Sequence, residues 1–472
     1  MKHVKQLLSA LLVLAVVLSL LPAGVLKASA AEALAALDIG YPTFKNTELL
    51  DEVYDLSKLG VSYSEKDIMM AIYKQDLANG GDSFYMDRIL AREGVCNGNA
   101  GSNGNADGNT FLTRGRALYM YTSSPSVIGF GGNTAYHQPL GRGDLVRVLF
   151  SNADGSLTTK EDTSKRVNAP SNWSSTYSVG SNLTLDVVKF IHQENVAVTT
   201  MTLTNKSDQA ITVAADSIFA TEPGKVTVNG AEQTELTGTC SSPAGLTTIY
   251  ARMTGDGFEA ASSDDYCWLS RDVTVPAGGS VELKVVIAFT TEEIPESTEQ
   301  YLRFAGLGNL EAVRAQKAEY NLYWAENLPY IDVPKKAVQK AIDYRWWLER
   351  FNSLDANIPG YDYQYPVTIE GVLGYNNAII LTQPMHLQDT KWLRSPYLAY
   401  GQLLSAGNSS QSSAFLDNPG NRNNWNNHYG QYLAEAGYEA FNVIGGGAEL
   451  AENLAYYFGH DATGQLDHYG NH

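Results

Sequence analysis

Between residues 341 and 401 the chain gathers side chains suited to binding and cleaving sugars. Asp362, Glu370 and Asp389 supply carboxyls, Asn376 and Asn377 supply amides, and His386 supplies an imidazole. Trp346, Trp347, Tyr361, Tyr363, Tyr365 and Trp392 supply flat aromatic faces. In glycoside hydrolysis carboxyls carry protons and activate water. Amides read hydroxyls, and aromatic rings stack on the apolar faces of pyranoses. The same residue types also fit a tyrosine-rich helix–loop–helix core that binds nothing.

Inverting hydrolysis needs two carboxyls about 6.5–9.5 Å apart, one protonated, with a water between them. The proton donor needs partial burial near apolar groups, which raises its pKa. Asp389 lies between His386 and Trp392, a setting that fits the donor. It fits equally well as the N-cap of a helix running on from Thr390. Glu370 and Asp362 can accept hydrogen bonds from a sugar hydroxyl or brace a neighbour. His386 fits a ligand contact or a satisfied core histidine, and the three tryptophans fit sugar platforms or core. Glu435, Glu439, Glu449 and Glu452 stand at helical spacings and predict a solvated helix face.

The elements that must position these groups follow from periodicity. Residues 183–190 (LTLDVVKF) and 195–205 (NVAVTTMTLTN) alternate with period two, and a polar turn at 206–209 leads into AITVAADSIF. This predicts a meander of roughly ten-residue strands. Residues 272–276 and 280–289 predict a further strand pair around Ala277-Gly278-Gly279. After residue 290 the period changes: residues 307–324 predict a helix, and another opens at Asp332, with Pro334 in its first turn. Further helices are predicted over 389–405, 425–443 and 448–459. The chain therefore divides into a signal peptide (1–31), an N-terminal antiparallel β-supersandwich (32–291), a helical linker (292–332) and a helix-pair domain (333–472). That order points to an (α/α)6 toroid behind a sandwich. A closed ring needs about 350–400 residues at ordinary helix and loop lengths, so the toroid here is incomplete.

Lys2 and Lys5, an apolar run from Leu7 to Leu21 and the Ala28-Ser29-Ala30 site predict a cleaved leader and export to the medium or cell surface, with a retained N-terminal anchor as the alternative. No second span follows, so no membrane association is expected after cleavage. A net charge of −18 argues against nucleic acid as a partner; a neutral carbohydrate would be indifferent to it. Cys240 and Cys267 could pair in an oxidising compartment, leaving Cys96. No cysteine–histidine spacing suggests zinc, and the loop at 97–109 has only Asp107 as a carboxylate, too few for calcium. No cofactor and no metal are expected.

Several segments together resemble one family. They are TRGRALYMYTSSPSVIGFGG (113–132), PSNWSS (170–175), FIHQENVAVTTMTLTN (190–205), ENLPYIDVPKKAVQKAIDYRWWLERFN (326–352), DYQYPVTIEGVLGYNNAIILTQPMH (362–386) and QDTKWLRSPYLAYG (388–401). The chain is similar to large exported bacterial proteins with a mannosylglycerate-hydrolase-like glycoside hydrolase domain. That domain is related to glycoside hydrolase family 63 and its clan of inverting α-glycosidases. The resemblance implies that Asp389 is the general acid, with Gln388 standing where the family carries tryptophan. It implies a general base late in the toroid, past the last residue here, and hence a truncated catalytic domain. Asp362, Glu370, Asn376, Asn377, His386 and Trp392 are then sugar contacts. A non-catalytic carbohydrate-binding or inactive homologue is the alternative. A phosphorylase would need a phosphate site, for which Arg345, Arg350, Lys391 and Arg394 are the nearby cations.

Overall fold

The computed structural model describes residues 68–94, 115, 127–131, 144–219, 227–232, 234–241, 248–262, 267–292, 294–355, 365–368, 382–409, 415–416, 426–427, 432–446, 451–452, 454–455 and 459. The expected leader, the 97–109 loop, Asp362, Glu370, Asn376, Asn377 and Glu449 lie outside them. Helices α1 (Ile68–Ala78) and α2 (Tyr85–Leu90) come first. Strands follow: β1 (Arg92–Glu93), β2 (Gly129–Gly131), β3 (Asp144–Asn152), β4 (Gly155–Ser156), β5 (Thr159–Asn168), β6 (Trp173–Val179), β7 (Leu183–His192) and β8 (Val196–Asn205). Next are β9 (Ile211–Phe219), β10 (Thr227–Glu232), β11 (Glu235–Ser241), β12 (Thr248–Gly255), β13 (Glu259–Ser262), β14 (Cys267–Val275) and β15 (Ser280–Thr290). Then come α3 (Pro295–Gly306), α4 (Asn309–Asn327), α5 (Lys336–Phe351), the short strands β16 (Ser353–Leu354) and β17 (Val367–Thr368), α6 (Gln383–Thr390) and α7 (Tyr397–Ser409). The last are β18 (Phe415–Leu416), β19 (Asn426–Asn427) and α8 (Leu433–Ile444).

The strands form two antiparallel sheets. One runs β1-β5-β6-β7-β8-β15-β12-β11-β10, the other β13-β14-β9-β3-β2 with β4 beside β3. Their facing sides share one core that includes Trp173, Leu185, Met201, Phe219, Leu269 and Ile287. Alternation is clean in β6, where Trp173, Ser175, Tyr177 and Val179 point inward. It fails in the middle of the large sheet. Residues 196–201 of β8 and 283–290 of β15 are buried on both faces. The reason is α3 and α4, which cover the outer face: Tyr301, Phe304 and Ala312 pack on Phe190, Val196, Val198, Val286 and Ala288. Each large apolar side chain so enclosed contributes about 1.5–3 kcal/mol. Lys284, also on that face, donates from Nζ to the carbonyls of Ala305 (3.1 Å) and Leu307. These carbonyls have no partner within the helix, and a cation suits the negative end of α3.

The predicted meander is corrected at two points. β8 and β9 do not pair, and neither do β14 and β15. Instead β8 pairs with β15 and β9 with β14, so both turns cross from one sheet to the other, side by side. Buried Asn205 ties them together, donating from Nδ2 to the carbonyls of Gln209 (2.7 Å) and Val275 (3.2 Å). Cys267 is a free thiol on β14, while Cys240 belongs to β11 of the other sheet, so the expected disulfide is not formed.

Helical expectations also shift. α3 was not expected, although Pro295 and Glu296 in its first turn and Arg303 in its last are ordinary helix signals. α5 starts after Lys335 with no side-chain cap, so Asp332 does not open it. The single helix expected over 389–405 is two. Ser395 and Pro396 break it, because proline cannot continue the helix before it but suits the first position of the next. Tyr397 N donates to Ser395 Oγ at 3.3 Å, the contact that a cap makes.

The helical part is fastened to the sandwich in three ways. Leu354 and Val367, from the β16–β17 pair, are fully buried in the sandwich core. Asp87 of α2 accepts from Ser171 N (3.0 Å), Ser171 Oγ (2.6 Å) and Asn321 Nδ2 (3.0 Å); burial pushes its pKa up despite these bonds. Arg350 of α5 lies over the rings of Tyr323 (3.6 Å), Tyr320 (4.7 Å) and Trp324 (5.3 Å) and donates to Gln193 Oε1 at 2.9 Å. Its desolvation lowers its pKa, and the aromatic faces offset part of that cost.

Two predictions follow from these contacts. A Cβ at Gly401 of α7 would lie 2.6 Å from the Pro366 carbonyl oxygen and 2.5 Å from its Cγ. Alanine in a helix interior is normally favoured by about 1 kcal/mol, but the clash with backbone held by β17 should outweigh it. Gly401→Ala is expected to destabilise by about 1–3 kcal/mol in chemical unfolding. The second concerns Glu319 of α4. Burial opposes its ionisation, but hydrogen bonds from His192 (3.1 Å) and Arg303 overcome that and hold its pKa at about 2. Its stabilising effect is therefore complete above the ordinary carboxylate value of 4.5 and lost as pH falls toward about 2. The Tm gap between the wild type and Glu319→Gln should narrow across that window; a gap that is constant with pH would contradict it.

Candidate functional site

The described part of the site lies where α5 meets α6. On α5 one stripe, including Gln339, Asp343, Trp346 and Trp347, is buried. Trp346 and Trp347 join Met86, Trp324 and Leu393 in a core cluster, so both are core residues here. A second stripe, Arg345 and Glu349, is one turn apart and meets Asp389 and His386 of α6, also one turn apart. Arg345 Nη2 contacts Asp389 Oδ2. His386 Nδ1 and Glu349 Oε1 are 3.0 Å apart. The outcome is two acid–base pairs stacked across one helix–helix seam.

Asp389 is the penultimate residue of α6, which rules out the N-cap alternative. A carboxylate there faces the negative end of the helix dipole. Arg345 offsets this, and its own pKa is raised, first by the hydrogen bond to Asp389 and further by the charges of Asp389 and Glu349, against desolvation. The Asp389 carbonyl, one of the four left over at a helix end, accepts from Trp346 Nε1 at 3.1 Å. The Arg345 side chain is 59% exposed and Asp389 23%, so the pair contributes only about 0–1 kcal/mol. The seam is held from behind by Asn327 at the end of α4. Its carbonyl accepts from Arg394 N (2.9 Å) and its Oδ1 from Ser395 N (3.2 Å).

Beyond the seam, Trp392 is 53% exposed, with Lys391 Nζ 5.5 Å from its ring centroid. An exposed indole can serve as a stacking platform. Lys391 Nζ also bonds Glu439 Oε2 (2.8 Å), which accepts from Gln388 Nε2 at 2.6 Å as well. Glu439, its side chain 44% exposed, lies on the solvated face expected of it and is paired there: Lys391 and Gln388 draw its pKa down. Asp355, directly after β16, accepts from Tyr397 Oη at 2.9 Å.

Of the expected site residues, the structure brings Asp389 and His386 to one seam and leaves Trp392 at its solvent edge. Asp362, Glu370, Asn376 and Asn377 lie outside the described residues, in the segments joining β16, β17 and α6. Glu349 was not singled out as a site residue, and Arg345 was named only as a cation near a phosphate site. Their signal was present: two charged residues at i and i+4 on a helix that otherwise buries its aromatic face. Among the described residues no group of three or more His, Cys, Asp and Glu stands where it could hold a metal ion, and no helix is long and apolar enough to cross a membrane.

No known family profile matches the chain. Among solved structures it is similar to a human-microbiome protein described as a kojibiose phosphorylase, with TM-score 0.50 and 9% identity over 64% of this chain and 46% of that one. It also matches a family 92 inverting mannosidase from Bacteroides thetaiotaomicron (TM-score 0.47, 15% identity, 73% of this chain and 53% of that one). A family 92 α-mannosidase from the same organism, in complex with mannoimidazole, matches with TM-score 0.38 and 11% identity, over 79% of this chain and 55% of that one. The chain spans about half the length of these proteins. At such identities the first likeness shows a shared fold: large antiparallel sheets followed by a helical region. Both of these mannosidases are described as family 92, whereas the sequence resemblance was to family 63.

Proposed function

We propose that the protein is an exported, glycoside-hydrolase-like enzyme that cleaves glycosidic bonds of an oligo- or polysaccharide, with α5–α8 as part of an (α/α)6 toroid. The observation that supports this best is the paired seam, Arg345–Asp389 beside Glu349–His386, in a helical region that follows a large β-sandwich. Asp389 delivers its proton to the glycosidic oxygen as the bond to the anomeric carbon breaks. A water attacks that carbon from the opposite face and loses its proton to a second carboxylate. Asp362, Glu370, Asn376, Asn377, His386 and Trp392 hold the sugar. For Asp389 to carry a proton, Arg345 must first move away, because a guanidinium in contact favours the anionic carboxylate. Its exposure makes that displacement inexpensive.

The same ion pair supports a second reading, a carbohydrate-binding protein without turnover. One experiment separates the two. Purified protein is offered a panel of α-linked oligosaccharides, with and without inorganic phosphate, alongside Asp389→Asn. The hydrolytic reading expects phosphate-independent cleavage that falls by about 10²–10⁴-fold in the variant, with little change in Tm. Binding without cleavage in the wild type would establish the second reading, and phosphate-dependent cleavage would make it a phosphorylase. Export has its own check: N-terminal sequencing of protein recovered from culture medium is expected to begin at Ala31 or Glu32. A chain retained in cells and starting at Met1 would contradict it.

A further inference from the structure

We propose that the outer face of the smaller sheet is a second carbohydrate-binding surface, separate from the α5–α6 seam, and that it holds a neutral polysaccharide. The face is built on the ladder between β9 and β14. Val213, Ala215, Leu269 and Val273 of that ladder belong to the sandwich core, so the residues that alternate with them point outward. Register arranges these in four rungs: Ile218 opposite Trp268, Asp216 opposite Ser270, Ala214 opposite Asp272 and Thr212 opposite Thr274. On one side β3 sets Arg147 beside Ile218 and Leu149 beside Asp216. On the other, β13 sets Ala261 beside Trp268 and Glu259 beside Ser270. α3 and α4 bury the outer side of the large sheet, but solvent reaches this one. Thr212, Asp272 and Thr274 are exposed, Leu149 is 42% exposed, and Trp268 and Asp216 are half-buried.

The dimensions select a narrow ligand. Neighbouring strands lie about 4.8 Å apart, and successive residues on one face about 6.8 Å apart. The rungs and their flanking strands therefore form a strip about 20 Å long and about 14 Å wide. Its area is on the order of 300 Å², well short of the roughly 800 Å² that each partner buries in a stable protein interface. A second copy of the chain or a folded protein would gain too little contact here. A single sugar chain lying along the ladder would cover the strip with several units in line.

The chemistry selects its class. At one end Trp268, between Ile218 and Ala261, offers an indole to the apolar face of a pyranose. In the next rung Ser270 Oγ donates to Asp216 Oδ1 at 2.6 Å. That bond fixes the carboxylate, whose remaining lone pairs can accept from sugar hydroxyls. Asp272 follows as a further acceptor. At the far end the Thr212 and Thr274 hydroxyls lie 2.9 Å apart and together still offer a proton and free lone pairs. Asp216, Glu259 and Asp272 outnumber Arg147, and the whole chain carries a net charge of −18. A polyanion would be repelled from this face, whereas the hydroxyls of a neutral glycan donate to its carboxylates. The inference rests on the reading that the protein handles carbohydrate, but not on Asp389 or any other part of the seam.

The test is native electrophoresis of the full chain in gels that contain soluble α-mannan, dextran, starch or polygalacturonate, or no polymer. At least one neutral polymer should retard the wild type, and polygalacturonate should not. Trp268→Ala should weaken that retardation about tenfold, through loss of one stacked ring. Asp272→Ala should weaken it as well, and because that side chain is exposed its Tm should stay at the wild-type value. Asp389→Asn should be retarded like the wild type. Retardation of both surface variants equal to the wild type would overturn the proposal. So would a wild type retarded by no neutral polymer or by polygalacturonate alone, or a dimer in sedimentation that Trp268→Ala dissociates. Retardation without any hydrolysis would support this surface and count against the enzymatic reading alone. Hydrolysis of short oligosaccharides without retardation by any polymer would count against this surface alone.

Discussion

Leu354 and Val367 belong to the helical half of the chain yet are fully buried in the sandwich core. That contact constrains much of what surrounds it. The β16–β17 pair cannot move without opening an apolar cavity beneath two sheets. Residue 351, the end of α5, is therefore fixed on one side of it. Pro366, on the other side, is pressed against Gly401 and fixes α7. α6 is left between two anchored helices, and its orientation follows. The charged seam is thus positioned by burial of two aliphatic side chains in the sandwich core, not by attraction between the charges. An ion pair as exposed as Arg345–Asp389 is too weak to set a helix in place.

The large sheet plays a matching role from the other side. Its central strands are covered on both faces, so α3 and α4 are as much a part of the core as the second sheet. α4 then reaches the site twice. Arg350 of α5 is caged by Tyr320, Tyr323 and Trp324, and Asn327 holds the turn between α6 and α7. A linker in the sequence is, in the folded protein, the strut between sandwich and seam.

Legibility followed the range of the interactions. Strands β7, β8 and β9 were readable because a two-residue period survives in each, and α4 and α5 because their apolar spacing is helical. Pairing was not readable: the turns at 206–209 and 277–279 look like hairpin turns, but both cross between sheets. Only neighbours far away in sequence decide between a hairpin and a crossing. The break at Ser395-Pro396 was visible locally and was outweighed by apolar residues on either side. α3 was hidden by its acidic start, although that start suits the positive end of a helix.

The sequence by itself determined which residues could do chemistry near 341–401, that a β-rich half precedes a helical half, and that a net charge of −18 disfavours polyanions. Composition and short-range periodicity carry those properties. The tertiary structure alone decided that Asp389 ends a helix rather than starting one, that its partner is Arg345, and that His386 is held by Glu349. It also decided that polar atoms of Gln383, Gln402 and Thr368 are buried with no hydrogen-bond partner among the described residues. Each of these depends on a contact between residues tens of positions apart, and such contacts are set by how helices and sheets bury their apolar faces together. No local pattern encodes that outcome.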